Sequence, residues 1–299
     1  NNPADCRRAE RRFLHGLDLD QNSAAAHAGY ALAVLQGAIL GDPESSASIV
    51  DAEVSALQSL ALDFQAPFAQ LARGAALAFI EWDFHAAQRY LLRAEQLQPT
   101  DRSDALFSAW IALLKLIPER RFAEAVYLLQ PVVRIFPSHL FARFALGTAL
   151  RLDRRYPEAL AVFSAAYEYD SHCGFAALNI AWTFATSGDL SKAQEHLQRQ
   201  QTNLGRNAPV VGMEAYLAAA QGQHDLALAL ETELTSMAKP HASFFFERAL
   251  IALALGQQAR ARSLFEMALH AQESSAFLGR LEPLLAPLTR DAAESESRS

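Results

Sequence analysis

The chain has 299 residues, 51 % of them hydrophobic, with only 13 glycines and 12 prolines, a composition that excludes a disordered or collagen-like polymer and supplies a large core. A formal charge of −7 and a pI near 5.7 speak against a segment that grips a phosphate backbone, because that binding needs accumulated Lys and Arg. No apolar run approaches the ~20 residues of a membrane-spanning helix, and the abundance of Ala, Leu, Glu, Gln and Arg predicts an all-α chain.

Residues 3 to 19 read as the second helix of a hairpin that has no first helix. Arg7, Arg8, Arg11 and Arg12 fall on one face of it; a solvated face is the reading preferred over a contact with a preceding domain or a phosphate. The chain begins with Asn rather than Met, and a lone helix at the end of a stack needs a cover, so the expectation is a piece of a longer protein that continues upstream. Seven hairpins are then predicted, near 24–63, 67–98, 104–136, 140–170, 174–201, 208–238 and 242–271. A short capping helix follows over 274–288, where Leu278, Leu281, Leu284 and Leu285 recur, and 291–299 is a polar tail expected to be disordered.

The hairpin over Leu140 to Ser171 shows the pattern most plainly. Gly147, Ala159, Phe163 and Ala166 occupy positions 8, 20, 24 and 27 when Leu140 is counted as the first. Tyr156-Pro157-Glu158 separates two apolar stretches of helical period, with Pro157 suited to a first helical turn. The small position recurs at Ala9, Ala52, Ala87, Ala125, Ala159, Ala193, Ala227 and Ala261, the last five spaced by 34 residues. Wider spacing earlier in the chain predicts longer turns around Leu40 to Ser48, Glu81 to Phe84 and Ile117 to Phe122. A bulky residue follows four positions on at Phe13, Leu91, Leu129, Phe163, Leu197 and Phe265. Gly188, Gly222 and Gly256 share one phase, where a helix must end and turn back.

These residues resemble the tetratricopeptide repeat, whose period is about 34 residues. The resemblance implies a right-handed α-solenoid of about seven hairpins forming a single domain over 1–290, with an unpaired N-terminal helix and a C-terminal cap. In that family the first helix of each hairpin lines a concave groove. The matching positions here are Phe68, Leu71, Phe107, Trp110, Phe141, Phe144, Arg151, Phe175, Leu178, Trp182, Tyr216 and Phe246. So many aromatic residues on an open groove imply a binding surface for an apolar or aromatic ligand, a peptide or a partner segment; packing between successive hairpins is the competing reading. The carboxylate clamp of chaperone-binding relatives, Lys-x-x-x-Asn, is missing, because none of Lys115, Lys192 and Lys239 has Asn four residues on.

Catalytic spacings are absent: there is no phosphate-binding loop, nucleophile elbow, zinc-protease His-Glu pair or Cys-x-x-Cys. Asp18 and Asp20 read as turn residues, and His139, His172 and His241 as helix caps or turn contacts rather than a pH sensor. Cys6 and Cys173 lie about four repeats apart, too far for a disulfide, which leans toward a reducing compartment. The expectation is therefore a non-enzymatic protein with no cofactor and no metal, cytoplasmic, or periplasmic if an upstream leader exists. Pro67 to Asp101, with Glu81-Trp82-Asp83 ahead of Ala87, Tyr90, Leu91 and Ala94, is similar to the repeat regions of CadC- and HilA-type bacterial transcriptional regulators. That resemblance implies a regulatory sensing domain. A scaffold for a multiprotein complex, envelope-associated in one version, is the alternative.

Overall fold

A computed structural model describes residues 3–40, 45, 47–97, 104–169, 174–238, 243–286 and 288. The expectations for Pro99, Ser171, His172, Cys173, Lys239, His241 and the tail at 291–299 lie outside the described residues. Every regular element among the described residues is helical, and the contacts divide the chain into two compact units, Asn1–Asp153 and Arg154–Ser299. No described helix is long and apolar enough to cross a membrane.

In the first unit α1 (Pro3–Leu19) lies along α2 (Ala24–Ile39), which pairs with α3 (Ile49–Leu62). The next first helix, α4 (Pro67–Ala76), runs on into a π-helical turn at Leu77–Glu81 and pairs with α5 (Phe84–Leu97). Its successor α6 (Ala105–Ile111) likewise continues as a π turn at Ala112–Leu116, packs on α7 (Phe122–Ile135), and is followed by α8 (Leu140–Leu152). The first helices α2, α4, α6 and α8 contact one another in that order.

The second unit opens with α9 (Tyr156–Tyr169) and continues through the pairs α10 (Gly174–Thr186) with α11 (Leu190–Leu204), α12 (Ala208–Ala220) with α13 (His224–Ser236), and α14 (Phe245–Ala254) with α15 (Gln258–His270). A short α16 (Ser274–Gly279) and a 3-10 turn at Pro283–Leu285 close the described chain, with α16 packed on α14.

Small residues set the spacing within the pairs. Ala52, Ala87, Ala125, Ala159, Ala193, Ala227 and Ala261 are all 1 % exposed or less. In the α4–α5 pair a Cβ added at Gly74 would sit 2.9 Å from the Leu91 side chain and 3.4 Å from the Ala87 carbonyl oxygen. The alanine series predicted from sequence therefore marks helix crossings, with one departure. Ala9 and Phe13 on α1 are only partly buried, and both line a hollow beside α2.

The turns repeat one backbone solution. Gly188, Gly222 and Gly256 adopt φ of 89°, 78° and 75°, and the equivalent turns of earlier hairpins put Trp82, Arg120 and Arg154 at φ of 55°, 59° and 60°. The extra residues of the second and third hairpins do not all go into longer turns. Part is absorbed inside the first helices as π geometry at Leu77–Glu81 and Ala112–Leu116, where Ile117 N–H donates to the Ala112 carbonyl. A π turn keeps the helix direction while adding a residue, so the apolar face before it stays in phase.

A Cβ added at Gly222 would meet no atom within 4 Å, so the cost of Gly222→Ala is that of a left-handed L-residue alone, about 1–2 kcal/mol. Urea unfolding is expected to show a lowered midpoint with an unchanged slope and an unchanged helical circular dichroism spectrum.

Candidate functional site

The faces formed by the first helices gather most of the aromatic side chains. Of the twelve groove positions read from sequence, Leu71, Phe107, Trp110, Phe141, Phe144, Arg151, Tyr216 and Phe246 are buried, and Phe68, Phe175, Leu178 and Trp182 are half-buried. In the first unit the Phe68 ring meets Phe107 edge-on at 6.0 Å between centroids. Trp110, without exposed surface, sits 4.9 Å from Phe141, and Phe141 stacks on Phe144 at 6.4 Å. These rings lie between successive hairpins, where each replaces water on its neighbour. In the second unit Trp182 packs against Tyr216 at 5.4 Å, and Phe246 contacts Phe265 at 6.5 Å while its other side rests on Gly279.

Each of the two indoles packs on one ring, Trp110 on Phe141 and Trp182 on Tyr216, but Trp110 is fully enclosed whereas Trp182 is half-buried and its indole N–H donates to no group among the described residues. Phe175 and Leu178 precede it by two turns and one turn of α10. Thr183 and Thr186 turn away from this face by donating their hydroxyls to the Asn179 and Trp182 carbonyls at 2.6 and 3.0 Å. The open part of the face is thus aromatic and apolar, with one indole donor.

The first unit holds a cavity of about 440 Å³. Asp5, Cys6, Ala9 and Phe13 of α1 form one wall, and Ala25, Gly29, Leu32, Ala33 and Gln36 of α2 the other. Phe68, Leu106 and His139 close it from the starts of α4, α6 and α8. A second hollow of about 610 Å³ shares Asp5, Ala9 and Phe13 and adds Arg8 and Arg12; Arg8 is paired with Asp5. His139 is the N-cap of α8, its Nδ1 accepting from Ala142 N–H at 3.1 Å. Burial holds its imidazole below the ordinary value of 6.5, so the ring is neutral at pH 7 with its proton on Nε2. The capping expectation for His139 is met. Phe68 apart, the sequence reading missed this cavity; its available signal was the small residues Ala25, Gly29 and Ala33 at helical spacing on one face of α2, too small to fill the space beside α1.

The second unit contains one strongly perturbed acid. Glu247 on α14 lies against Gly212, 3.2 Å from where a Cβ would be, and its Oε2 is buried without a hydrogen-bond partner among the described residues. Desolvation, helped by the nearby Glu273 carboxylate, pushes it up to about 7. Glu273 itself accepts from the backbone N–H groups of Phe245 and Phe246 at 3.0 and 2.9 Å, capping α14 from the far end of its hairpin. By contrast the buried Glu231 is matched by Arg248 and Arg260. Among the described residues no group of His, Cys, Asp or Glu is arranged to hold a metal ion.

Comparison with known proteins places this architecture. No protein-family model and no curated protein matches the sequence. Among solved structures, a tetratricopeptide repeat protein from Parabacteroides merdae is 12 % identical with a TM-score of 0.58, over 84 % of this chain and 93 % of that one. The human IFIT1 dimer with PPP-AAAA is 16 % identical with a TM-score of 0.63, over 99 % and 68 %. PilW, a type IV pilus biogenesis factor, is 17 % identical with a TM-score of 0.53, over 67 % and 91 %. The fold is that of the tetratricopeptide repeat proteins. Nothing in the comparisons supports the narrower resemblance to CadC- and HilA-type regulators.

Two measurements follow from these geometries. Trp110→Ala removes a fully enclosed ring and is expected to cost about 3–5 kcal/mol in urea unfolding. For Glu247 the native pKa of about 7 exceeds the ordinary 4.5, so the native state keeps a proton that the unfolded chain releases. Its contribution is complete below pH 4.5 and is lost as pH rises through 7. Glu247→Gln is expected to flatten the fall in stability between pH 5 and 8 by roughly 1–3 kcal/mol, read by thermal melts across that range.

Proposed function

We propose that this chain is a non-catalytic binding module that takes an apolar or aromatic segment of a protein partner against the first-helix face of its second unit. The observation that carries the reading is the half-buried trio Phe175, Leu178 and Trp182 beside the enclosed Tyr216. Large aromatic side chains with one face open are what interface hot spots are made of, and an open apolar face of this kind marks a contact surface more often than a free one. An indole donor without a partner adds a point where a backbone carbonyl of the bound segment fits. The fold it shares with the structures above is compatible with this use without specifying the partner.

Within that reading we favour a sensing role in a bacterial transcriptional regulator, on the strength of the Pro67 to Asp101 segment. Occupancy of the face then matters only through a difference in affinity between two states of the regulator. A scaffold for a multiprotein complex is the second reading. It is favoured by a row of exposed apolar residues on the outer side of α3, Val50, Val54 and Leu57, which offers a further face for a second partner. A winged-helix domain encoded upstream of Asn1 supports the regulator, and its absence supports the scaffold.

The test compares proteins that copurify with the wild-type chain and with a Phe175→Ser, Trp182→Ser double variant. Loss of two hot-spot rings is worth upward of 2 kcal/mol, about thirtyfold in affinity. A partner depleted to that extent, with helicity preserved, is the expected result. An unchanged set of partners contradicts the proposal.

A further inference from the structure

The cavity between α1 and α2 has the character of a small-molecule site. Its volume of about 440 Å³ falls in the range of roughly 300–1,000 Å³ typical of such sites. Close approach of α1 to α2 is fixed at Gly29, where an added Cβ would meet the Phe13 ring at 2.3 Å. Beyond that contact the α2 side chains are too short to close the gap, and Ala25 and Ala33 leave it open while Leu32, Phe68 and Leu106 make it apolar.

Two polar groups break the apolar lining in a way the packing does not explain. Gln36 is 6 % exposed, lines the cavity, and its side-chain amide forms no hydrogen bond among the described residues. Its amide oxygen and nitrogen are not fully enclosed, so they reach the open space of the cavity, where the polar group of a ligand can pair with them. His139, on the same lining, has Nδ1 engaged by Ala142 N–H, which leaves Nε2–H as a donor without an acceptor among the described residues. Together they present two kinds of donor, an imidazole N–H and an amide NH₂, and one amide acceptor. Asp5 brings the only carboxylate and is already paired with Arg8. An anionic head would therefore find a neutral histidine and a negative neighbour, and a cationic head would compete with Arg8.

We propose that this cavity binds a small neutral molecule with an apolar body and a carboxamide head, the carbonyl accepting from His139 Nε2–H or the Gln36 NH₂ and the amide N–H donating to the Gln36 oxygen. The site is separate from the partner surface of the second unit and does not depend on it.

The experiment titrates the full chain with the neutral dye N-phenyl-1-naphthylamine and displaces the dye with octanamide, octanoate or octylamine. Saturable dye fluorescence is expected, with octanamide displacing the dye at least about tenfold more effectively than either charged analogue. Ala33→Leu fills the space and weakens dye and octanamide alike. Gln36→Leu keeps dye binding and weakens octanamide about tenfold, the worth of one well-made hydrogen bond. The Phe175→Ser, Trp182→Ser variant binds octanamide as the wild type does, which separates failure here from failure of the partner surface. The proposal is overturned by absence of saturable dye binding, by octanoate matching octanamide, or by octanamide affinity unchanged in Gln36→Leu. If Ala33→Leu loses helicity, the Gln36→Leu comparison decides alone.

Discussion

Paired helices approach closely only where a side chain is small on the face that crosses, and in this chain an enclosed alanine occupies that place in hairpin after hairpin. From Ala52 to Ala261 the methyl groups are covered almost completely. With backbones this near, the bulky residue one turn later, such as Leu91, Leu129 or Phe265, is forced into the gap between helices and is itself buried. The same closeness pushes large rings of the first helices outward to the seam with the next hairpin. There they meet each other as Phe68 meets Phe107 and Trp110 meets Phe141. Burial of such rings contributes roughly 1.5–3 kcal/mol each, so the seam between hairpins is a principal source of stability as well as the frame of the candidate sites.

The sequence shows the crossings well because a crossing depends on one residue at one position, and glycine or alanine there is unambiguous. Gly188, Gly222 and Gly256 are equally plain, since a left-handed turn favours glycine; Trp82, Arg120 and Arg154 do the same job without that mark. Exposure of the aromatic layer was not legible. Whether a ring at a groove position is open depends on what the following hairpin places beside it, and a rotation of 100° per residue converts a seam residue into a surface one. Trp110 corresponds in phase to Phe144 and Leu178, and Trp182 stands one turn further along its helix; Phe141 helps to enclose the first, while Tyr216 covers only part of the second. The π turns after α4 and α6 were also hidden, because an added residue in a helix and an added residue in a turn give the same spacing.

The cavity beside α1 lies between small residues of α2 and apolar side chains at the starts of α4 and α6. Ala9 and Phe13 carry the crossing pattern, and both line the space in front of α2. Filling is left to side chains that are too small, and Gln36 and His139 give the space its polarity. In the second unit the polar exceptions work differently: Glu273 is spent on the exposed start of α14, Glu231 on two arginines, and Glu247 is left to meet burial by holding its proton near neutral pH.

The aromatic layer of the first helices comprises enclosed rings and an open patch, and collisional quenching of single-tryptophan variants tests that division most directly. With Trp82 and either Trp110 or Trp182 replaced by Phe, the remaining Trp110 is expected to emit at short wavelength and to resist iodide. The remaining Trp182 is expected to be quenched readily. Equal quenching of the two, or protection of Trp182 in the isolated chain, would contradict the account.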